Sequence, residues 1–310
     1  MSTIKVQNIQ HTGSSTNAIA LASDGTCTAN LSNRQNRNLI INGAMEVAQR
    51  GTTSTSNGYQ TVDRFYINFA NTDEAPTQAQ ADVASGTTPY TLGFRKSFKI
   101  TNGNQTSGAG AADRMRLLYI VEAQDLAKSG WNYTDANSKI TLSFWIKSSV
   151  SQNFYFRVAT SDGTSYNFPM ETGVLTADTW TKVTKTISGN SNLTFNNDNG
   201  IGLYLSWAQY RCTDNTDSGV ALNTWTASGS GYTLFPDYTS TWYTTNDATW
   251  ELTGVQLEAG SVATDFEHRS FADELRRCQR YYLFLLTQVG VLMNINYLIF
   301  THILLHKLKQ

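Results

Sequence analysis

The chain has 310 residues and a formal net charge of −1, with 40% hydrophobic and only 15% charged residues. That length leaves room for one large domain with extensions or two modest ones, and near-neutral charge without a basic stripe excludes the electrostatic footprint of a nucleic-acid binder. Aromatic residues make up 12%, prolines number 4, and Thr, Ser, Asn and Gly stand in for charge, which predicts an all-β protein because Thr and aromatics suit half-buried strands and Asn and Gly suit turns.

The amino-terminal MSTIKVQNIQHTG lacks the basic-then-apolar layout of a signal peptide. Residues 1–37 form a polar leader in which IKVQNI alternates and ALASDGTCTANL predicts a hairpin around Asp24-Gly25. The leader has too few apolar residues for a core of its own, so it is either a disordered tail or an arm that orders by pairing with sister chains or a larger assembly; the strand pattern of IKVQNI and IALASDG favours the arm. Cys27, Cys212 and Cys278 lie far apart with no CxxC pair, and an odd count predicts free thiols rather than a disulfide framework.

The body spans residues 38–268. It opens with NLIINGAMEVAQRGT, strand-like at Leu39–Ile41 and broken at Asn42-Gly43. Alternating segments follow: VDRFYINFA, FRKSFKIT, MRLLYIV, KITLSFWIKSS, NFYFRVAT, WTKVTKTIS, IGLYLSWAQ and ATWELTGVQLE, separated by Gly- and Asn-rich turns. Many short strands of period two predict a β-sandwich. Only EAQDLAKSG (122–130) and the stretch after Phe271 read as helical.

Functional residues are sought along the same path. The body has one histidine, His268, and no G-x-S-x-G elbow, H-E-x-x-H or P-loop, so no catalytic residue is assigned and no enzyme is expected. Asp73, Glu74, Asp162, Asp214, Asp217 and Asp237 all sit in turn-like contexts and read as solvated acids. FNNDNG (195–200) and RCTDNTDSG (211–219) carry alternating oxygens but complete no ion loop. The richest stretch is NTWTASGSGYTLFPDYTSTWYTTNDATW (223–250), broken by Gly229, Gly231 and Pro236 into loop. Loop aromatics offer flat apolar faces with a polar handle, which sugars need for stacking and hydrogen bonding. Trp225, Tyr232, Trp242 and Tyr243, with Asp237 and Arg211 as polar partners, are therefore the candidate carbohydrate-binding set. The competing reading fills the core or a subunit interface with these rings; for Trp250, beside a strand, core is the expectation.

FADELRRCQRYY (271–282) predicts a helix with acids first and bases later, as the helix dipole favours. Leu275, Cys278, Tyr281 and Tyr282 form its apolar face, and Asp273, Glu274, Arg276, Arg277 and Arg280 its charged face. Residues 283–310 are strongly apolar and unlike the rest. They approach the length of a membrane span, but Thr287, Gln288, Gly290, Asn294, Asn296, Thr301 and His302 interrupt them, so no membrane insertion is expected.

NLIINGAMEVAQRGT, TVDRFYI, ITLSFWIKSS and WELTGVQLEAGSVATDFEHRSFADELRRCQRYY together resemble tail-fibre and related virion proteins of tailed bacteriophages; the leader resembles the arm of such proteins from marine phages. The resemblance covers roughly residues 1–282. It implies a jelly-roll β-sandwich similar to carbohydrate-binding modules, with an extended amino-terminal arm and a short carboxy-terminal helix. It implies a virion location after synthesis in the host cytoplasm, attachment to other virion proteins through residues 1–37, and a host cell-surface glycan as ligand; the arm's strand pattern without a core predicts a homotrimer held through those residues. A purely structural spacer or decoration protein is the alternative, and a polysaccharide-degrading enzyme a weaker one. The resemblance also implies a structural calcium between an opening-strand Glu and acids on the last strand. Glu46 matches the first position, but Thr253 and Gly254 stand where the acids would fall, so that site is expected to be empty and no cofactor is expected. After Tyr282 the family pattern fails, as a shifted reading frame or truncated gene end would make it do.

Overall fold

The computed structural model describes residues 6–13, 15, 17–21, 23, 27–29, 36–228 and 234–283. The arm holds β1 (Asn8–Ile9), β2 (Ile19–Leu21) and β3 (Cys27–Ala29), paired antiparallel in that order. Leu21 pairs with Cys27 across the expected Asp24-Gly25 turn, and residues 24–26 lie outside the described residues. Val6, Ile9 and Leu21 remain exposed, as strands without a core of their own must leave them.

The body runs β4 (Thr53–Ser54), β5 (Phe65–Ala70), β6 (Thr77–Asp82), α1 (Thr88–Thr91), β7 (Lys96–Thr101), β8 (Arg114–Glu122), α2 (Ala123–Ala127), β9 (Lys139–Ser148) and β10 (Asn153–Thr160). It continues with β11 (Tyr166–Val174), β12 (Thr181–Ser188), β13 (Ile201–Arg211), β14 (Thr226–Ala227), β15 (Thr249–Ala259) and α3 (Phe271–Gln279). The strands form two six-stranded sheets, ordered β12-β9-β15-β7-β6-β4 and β14-β11-β10-β13-β8-β5, and all pairings within them are antiparallel. The architecture is a jelly-roll β-sandwich: a sandwich as the alternation predicts, and a jelly roll as the resemblance implies.

Period-two alternation builds the core directly. Met115, Leu117, Tyr119 and Val121 of β8 point inward, as do Phe154, Phe156 and Val158 of β10 and Ile140, Leu142, Phe144 and Ile146 of β9. At the centre Phe144 meets Phe156 edge-on at 5.0 Å and Trp207 at 5.7 Å, joining the two sheets. Two longer strands escape the pattern. TQAQAD of β6 buries Gln78, whose carbonyl accepts from the Thr61 hydroxyl at 3.1 Å, so polarity hides an inward face. β11 contains Pro169, and its outer neighbour β14 reaches it only at Tyr166 and Asn167, leaving Pro169 at an edge where its missing N–H costs no ladder bond.

The opening segment is not a regular strand, contrary to its resemblance to one. β7 pairs with β15 only from Thr249 to Leu252. Beyond that, residues 38–43 lie against β15: the Leu39 amide donates to the Leu257 carbonyl at 2.9 Å and the Val255 amide to the Gly43 carbonyl at 2.9 Å. The Asn38 side chain bridges the same strand, accepting from Leu257 N and donating to the Val255 carbonyl. A Cβ on Gly43 would sit 2.1 Å from the Val255 oxygen, so only glycine permits the approach. The body's contacts also begin earlier than residue 38, since Asn36 N donates to Glu267 and Arg37 Nε to Thr264.

Helix α3 forms where expected, capped by Ser270, whose hydroxyl accepts from Asp273 N at 3.2 Å. Its buried residues are Glu274 and Cys278 rather than a purely apolar stripe. Glu274, placed on the charged face by sequence, turns inward because the Asn42 amide and Arg269 meet it there. The helix docks on its own jelly roll. Beyond it, Arg64 lies 3.4 Å from the Tyr281 ring centre and Arg50 3.5 Å from that of Tyr282. Cys212 and Cys278 are free and buried.

Residues 284–310, including the proposed frame-shifted end, lie outside the described residues; no helix among the described residues is long and apolar enough to cross a membrane. A chain ending at Tyr282 is expected to melt within about 2 °C of the full chain. One ending at Gln279 should melt several degrees lower, because each lost cation–π contact is worth roughly 0.5–2 kcal/mol. A large fall in melting temperature for the first truncation would make the apolar end an integral element.

Candidate functional site

The structure separates the residues that the aromatic stretch suggested. Residues 212–248 carry the chain from β13 in one sheet to β15 in the other. Trp242 and Tyr243 are both 0% exposed. The Trp242 amide donates to Gln152 Oε1 at 2.8 Å and its indole Nε1 to the Thr249 carbonyl at 2.9 Å. Asn102 Nδ2 donates to the Tyr243 carbonyl at 2.6 Å, and the Tyr243 ring stacks on Tyr210 at 4.2 Å. Neither ring has a face left for a sugar, which corrects their assignment. Trp225 is buried too; it packs 5.1 Å from Phe168 and donates to the Ser188 carbonyl, closing the edge between the sheets. Trp250 is core, as expected. Asp237 is exposed and lines none of the described clefts, and Tyr232 lies outside the described residues. Among the described residues of the six, Arg211 lines a substantial cavity.

That cavity is a cleft of about 540 Å³ on the outer face of the sheet containing β8, β10 and β13. Arg114, Arg116, Arg157 and Arg211 converge on it, joined by Tyr204 and by the polar side chains of Thr160, Ser165, Asn215 and Ser228. Strand order brings the arginines together. Ala208 of β13 pairs with Arg116 of β8, and Ser206 with Arg157 of β10. The register of β13 then shifts between Ala208 and Tyr210; Tyr210 enters the core, and Arg211 faces outward opposite Arg114. Residues from the crossing segment fold back over one end, where Leu234 and Phe235 bury Ala208.

The cleft is strongly positive and internally braced. Arg116 Nε donates to Asn68 Oδ1 at 3.2 Å, Arg157 Nη1 to Asn167 Oδ1 at 2.8 Å, and Arg211 Nη2 to Asn215 Oδ1. Arg157 and Arg211 are only 9% and 4% exposed, yet the Nε of each has no hydrogen-bond partner. Burial, then the charges of Arg116 and Arg211, pull the Arg157 guanidinium down to about 9. Burial and Arg116 pull that of Arg211 down to about 10. Both stay charged at neutral pH. Among the described residues no carboxylate lines the cleft, so the paired acids of glycoside hydrolysis are not assembled there.

Sequence reading missed Arg114, Arg116 and Arg157. Each sits at an outward position of an alternating strand, which was legible; their adjacency was not, because β8, β10 and β13 are distant in sequence.

Glu46 is half-buried, and its nearest charges are cationic: burial pushes its carboxyl up, against the pull of Lys96 and Arg95. Thr253 donates its hydroxyl to the Lys96 carbonyl at 2.7 Å, and Glu251 pairs with Lys147 at 3.0 Å. No cluster of three metal-ligating side chains occurs among the described residues. The turn acids hold turns: Asp198 accepts from Gly200 N, Asp217 from Gly219 N, and Asp162 from Asn196 N.

No protein-family profile and no curated protein sequence matches the chain. Solved structures do. The enzymatically active domain of tailspike protein 4 from bacteriophage CBA120 matches at 8% identity and a TM-score of 0.38, over 72% of this chain and 22% of the other, so the chain spans about a fifth of that protein. The baseplate tripod of bacteriophage Tuc2009 matches at 12% identity and a TM-score of 0.34, over 81% and 65%. The family 11 carbohydrate-binding module of a Clostridium thermocellum cellulosomal cellulase matches at 12% and 0.32, over 70% and 98%.

Proposed function

We propose that the chain is a phage virion protein of the tail-fibre kind whose jelly roll binds host-surface glycan, in the arginine cleft rather than at the aromatic stretch. The observation that carries this reading is the cleft itself. Its volume is that of a ligand pocket. It sits on a rigid sheet, combines the half-exposed Tyr204 ring with guanidinium, amide and hydroxyl groups, and leaves buried donors without protein partners. A ring for stacking beside donors for hydroxyls is the chemistry of saccharide recognition. The resemblance of NLIINGAMEVAQRGT and the 250–282 block supports the virion setting. The exposed Val6, Ile9 and Leu21 of the arm support assembly through residues 1–37, as a trimer and with other virion proteins.

A structural spacer without glycan binding is the second reading, favoured by the burial of Trp225, Trp242 and Tyr243 within one subunit. Adsorption of the full chain to bacterial cells, with and without periodate oxidation of surface sugars, separates the two. The expected result is adsorption that periodate abolishes and that Tyr204→Ala weakens about tenfold, the equivalent of one lost ring contact. Adsorption indifferent to periodate, or none to any envelope, leaves the spacer reading standing.

A further inference from the structure

Elsewhere this chain pairs three partly buried arginines with carboxylates. Arg37 meets Glu258 at 3.5 Å, Arg50 meets Asp63 at 3.3 Å and Arg269 meets Glu274 at 3.1 Å. Arg64 lies instead between the rings of Tyr119 and Tyr281. The cleft arginines follow another pattern. No ion pair among the described residues joins Arg114, Arg116, Arg157 or Arg211 to a carboxylate. Three of them are braced by the neutral oxygens of Asn68, Asn167 and Asn215. An amide oxygen fixes the direction of a guanidinium and leaves its charge intact. The arrangement costs stability in the free protein: Arg114 and Arg211 are direct cross-strand partners, and like charges so placed repel. Buried charge without a counter-ion adds desolvation cost. A guanidinium fork matches carboxylate, sulfate or phosphate oxygens two at a time. An anion seated among these groups would relieve the repulsion and occupy the free Nε donors of Arg157 and Arg211.

We infer that the cleft selects an anionic saccharide, whose carboxylate, sulfate or phosphate group is held by Arg114, Arg116, Arg157 and Arg211; this rests on the glycan-binding reading and narrows its ligand. A saccharide is favoured over nucleic acid because the four arginines are gathered into one pocket of a chain of net charge −1, whereas nucleic-acid binding needs a stripe that follows many phosphates.

The test is calorimetric titration of the full chain at low salt with an oligogalacturonate, a sulfated oligosaccharide, a glycerol-phosphate oligomer, a neutral oligosaccharide of equal length and a single-stranded oligonucleotide. At least one acidic probe should bind ten or more times tighter than the neutral one, weaken as salt rises, and raise the melting temperature. The strongest of the three acidic probes identifies the anionic group. Arg157→Gln should weaken that binding at least tenfold without lowering the melting temperature of the free protein, since it removes a repelling buried charge. Arg116→Gln, at a half-exposed position, gives the same readout if the first variant folds poorly. Equal binding of neutral and acidic probes, unchanged in both variants, overturns the inference and leaves the glycan reading intact. Binding to no saccharide removes both, and preference for the oligonucleotide overturns the choice of ligand.

Discussion

Replacing Arg269 with alanine is expected to destabilise the protein by about 3–5 kcal/mol, the range for stranding buried charges by removing their partner. The Arg269 side chain is 6% exposed and contacts Glu267 and Glu274, whose side chains are 9% and 7% exposed. It also donates to the Asn38 carbonyl at 2.6 Å and the Ile40 carbonyl at 3.1 Å. One side chain therefore ties the opening segment, the loop after β15 and helix α3 together. The loss should appear in urea titration as a lower midpoint, and as a fall of roughly 10 °C in melting temperature for a domain of this size. A loss below about 1 kcal/mol would place this network among the weak exposed ion pairs.

The pH dependence follows with a definite sign. Burial alone would push the Glu267 carboxyl up, but the Asn38 amide, Arg269 and the Asn36 amide outweigh it and hold it below the usual carboxylate range. Its contribution is thus present above the unfolded glutamate value, near 4.3, and lost as pH falls through the lower folded value. Without Arg269 that shift shrinks. The gap between wild type and Arg269→Ala should narrow as pH drops below about 4.

Asn42→Ala is expected to cost about 3 kcal/mol, the sum of an orphaned buried amide and a left-handed alanine. Asn42 is 0% exposed with φ +62°. Its Oδ1 accepts from Val47 N at 2.9 Å, and its Nδ2 donates to the Val47 carbonyl at 2.9 Å and the Asp63 carbonyl at 3.0 Å. Its own amide donates to Glu274 Oε2 at 3.0 Å. Asn42→Gly separates the two contributions, because glycine accepts the backbone geometry while losing the same side-chain bonds. The glycine variant should be about 1 kcal/mol more stable than the alanine variant. Equal losses in chemical denaturation would show that the backbone conformation costs nothing.

The sequence by itself determined the sandwich and the facing of most side chains. MRLLYIV, KITLSFWIKSS and NFYFRVAT alternate cleanly because the pleat sends neighbours to opposite faces, so Leu117, Phe144 and Phe156 could only point inward. It also determined α3, through Ser270, the early acids and the late bases, and the antiparallel pairing of β2 with β3. Tertiary structure alone decided the rest. Trp242 and Tyr243 lie in a stretch without period, and their burial depends on Gln152 and Asn102, which are 90 and 141 residues away from the groups they bind. Glu274 reads as a surface acid until the Asn42 amide and Arg269 arrive from other segments. Arg114, Arg116, Arg157 and Arg211 read as scattered outward cations, which is why no basic stripe was visible. Only the order β10-β13-β8 and the bulge before Arg211 gather them into one cleft. Local alternation fixes which way a residue faces, whereas its neighbours across a sheet follow from non-local pairing, which no stretch of sequence encodes on its own.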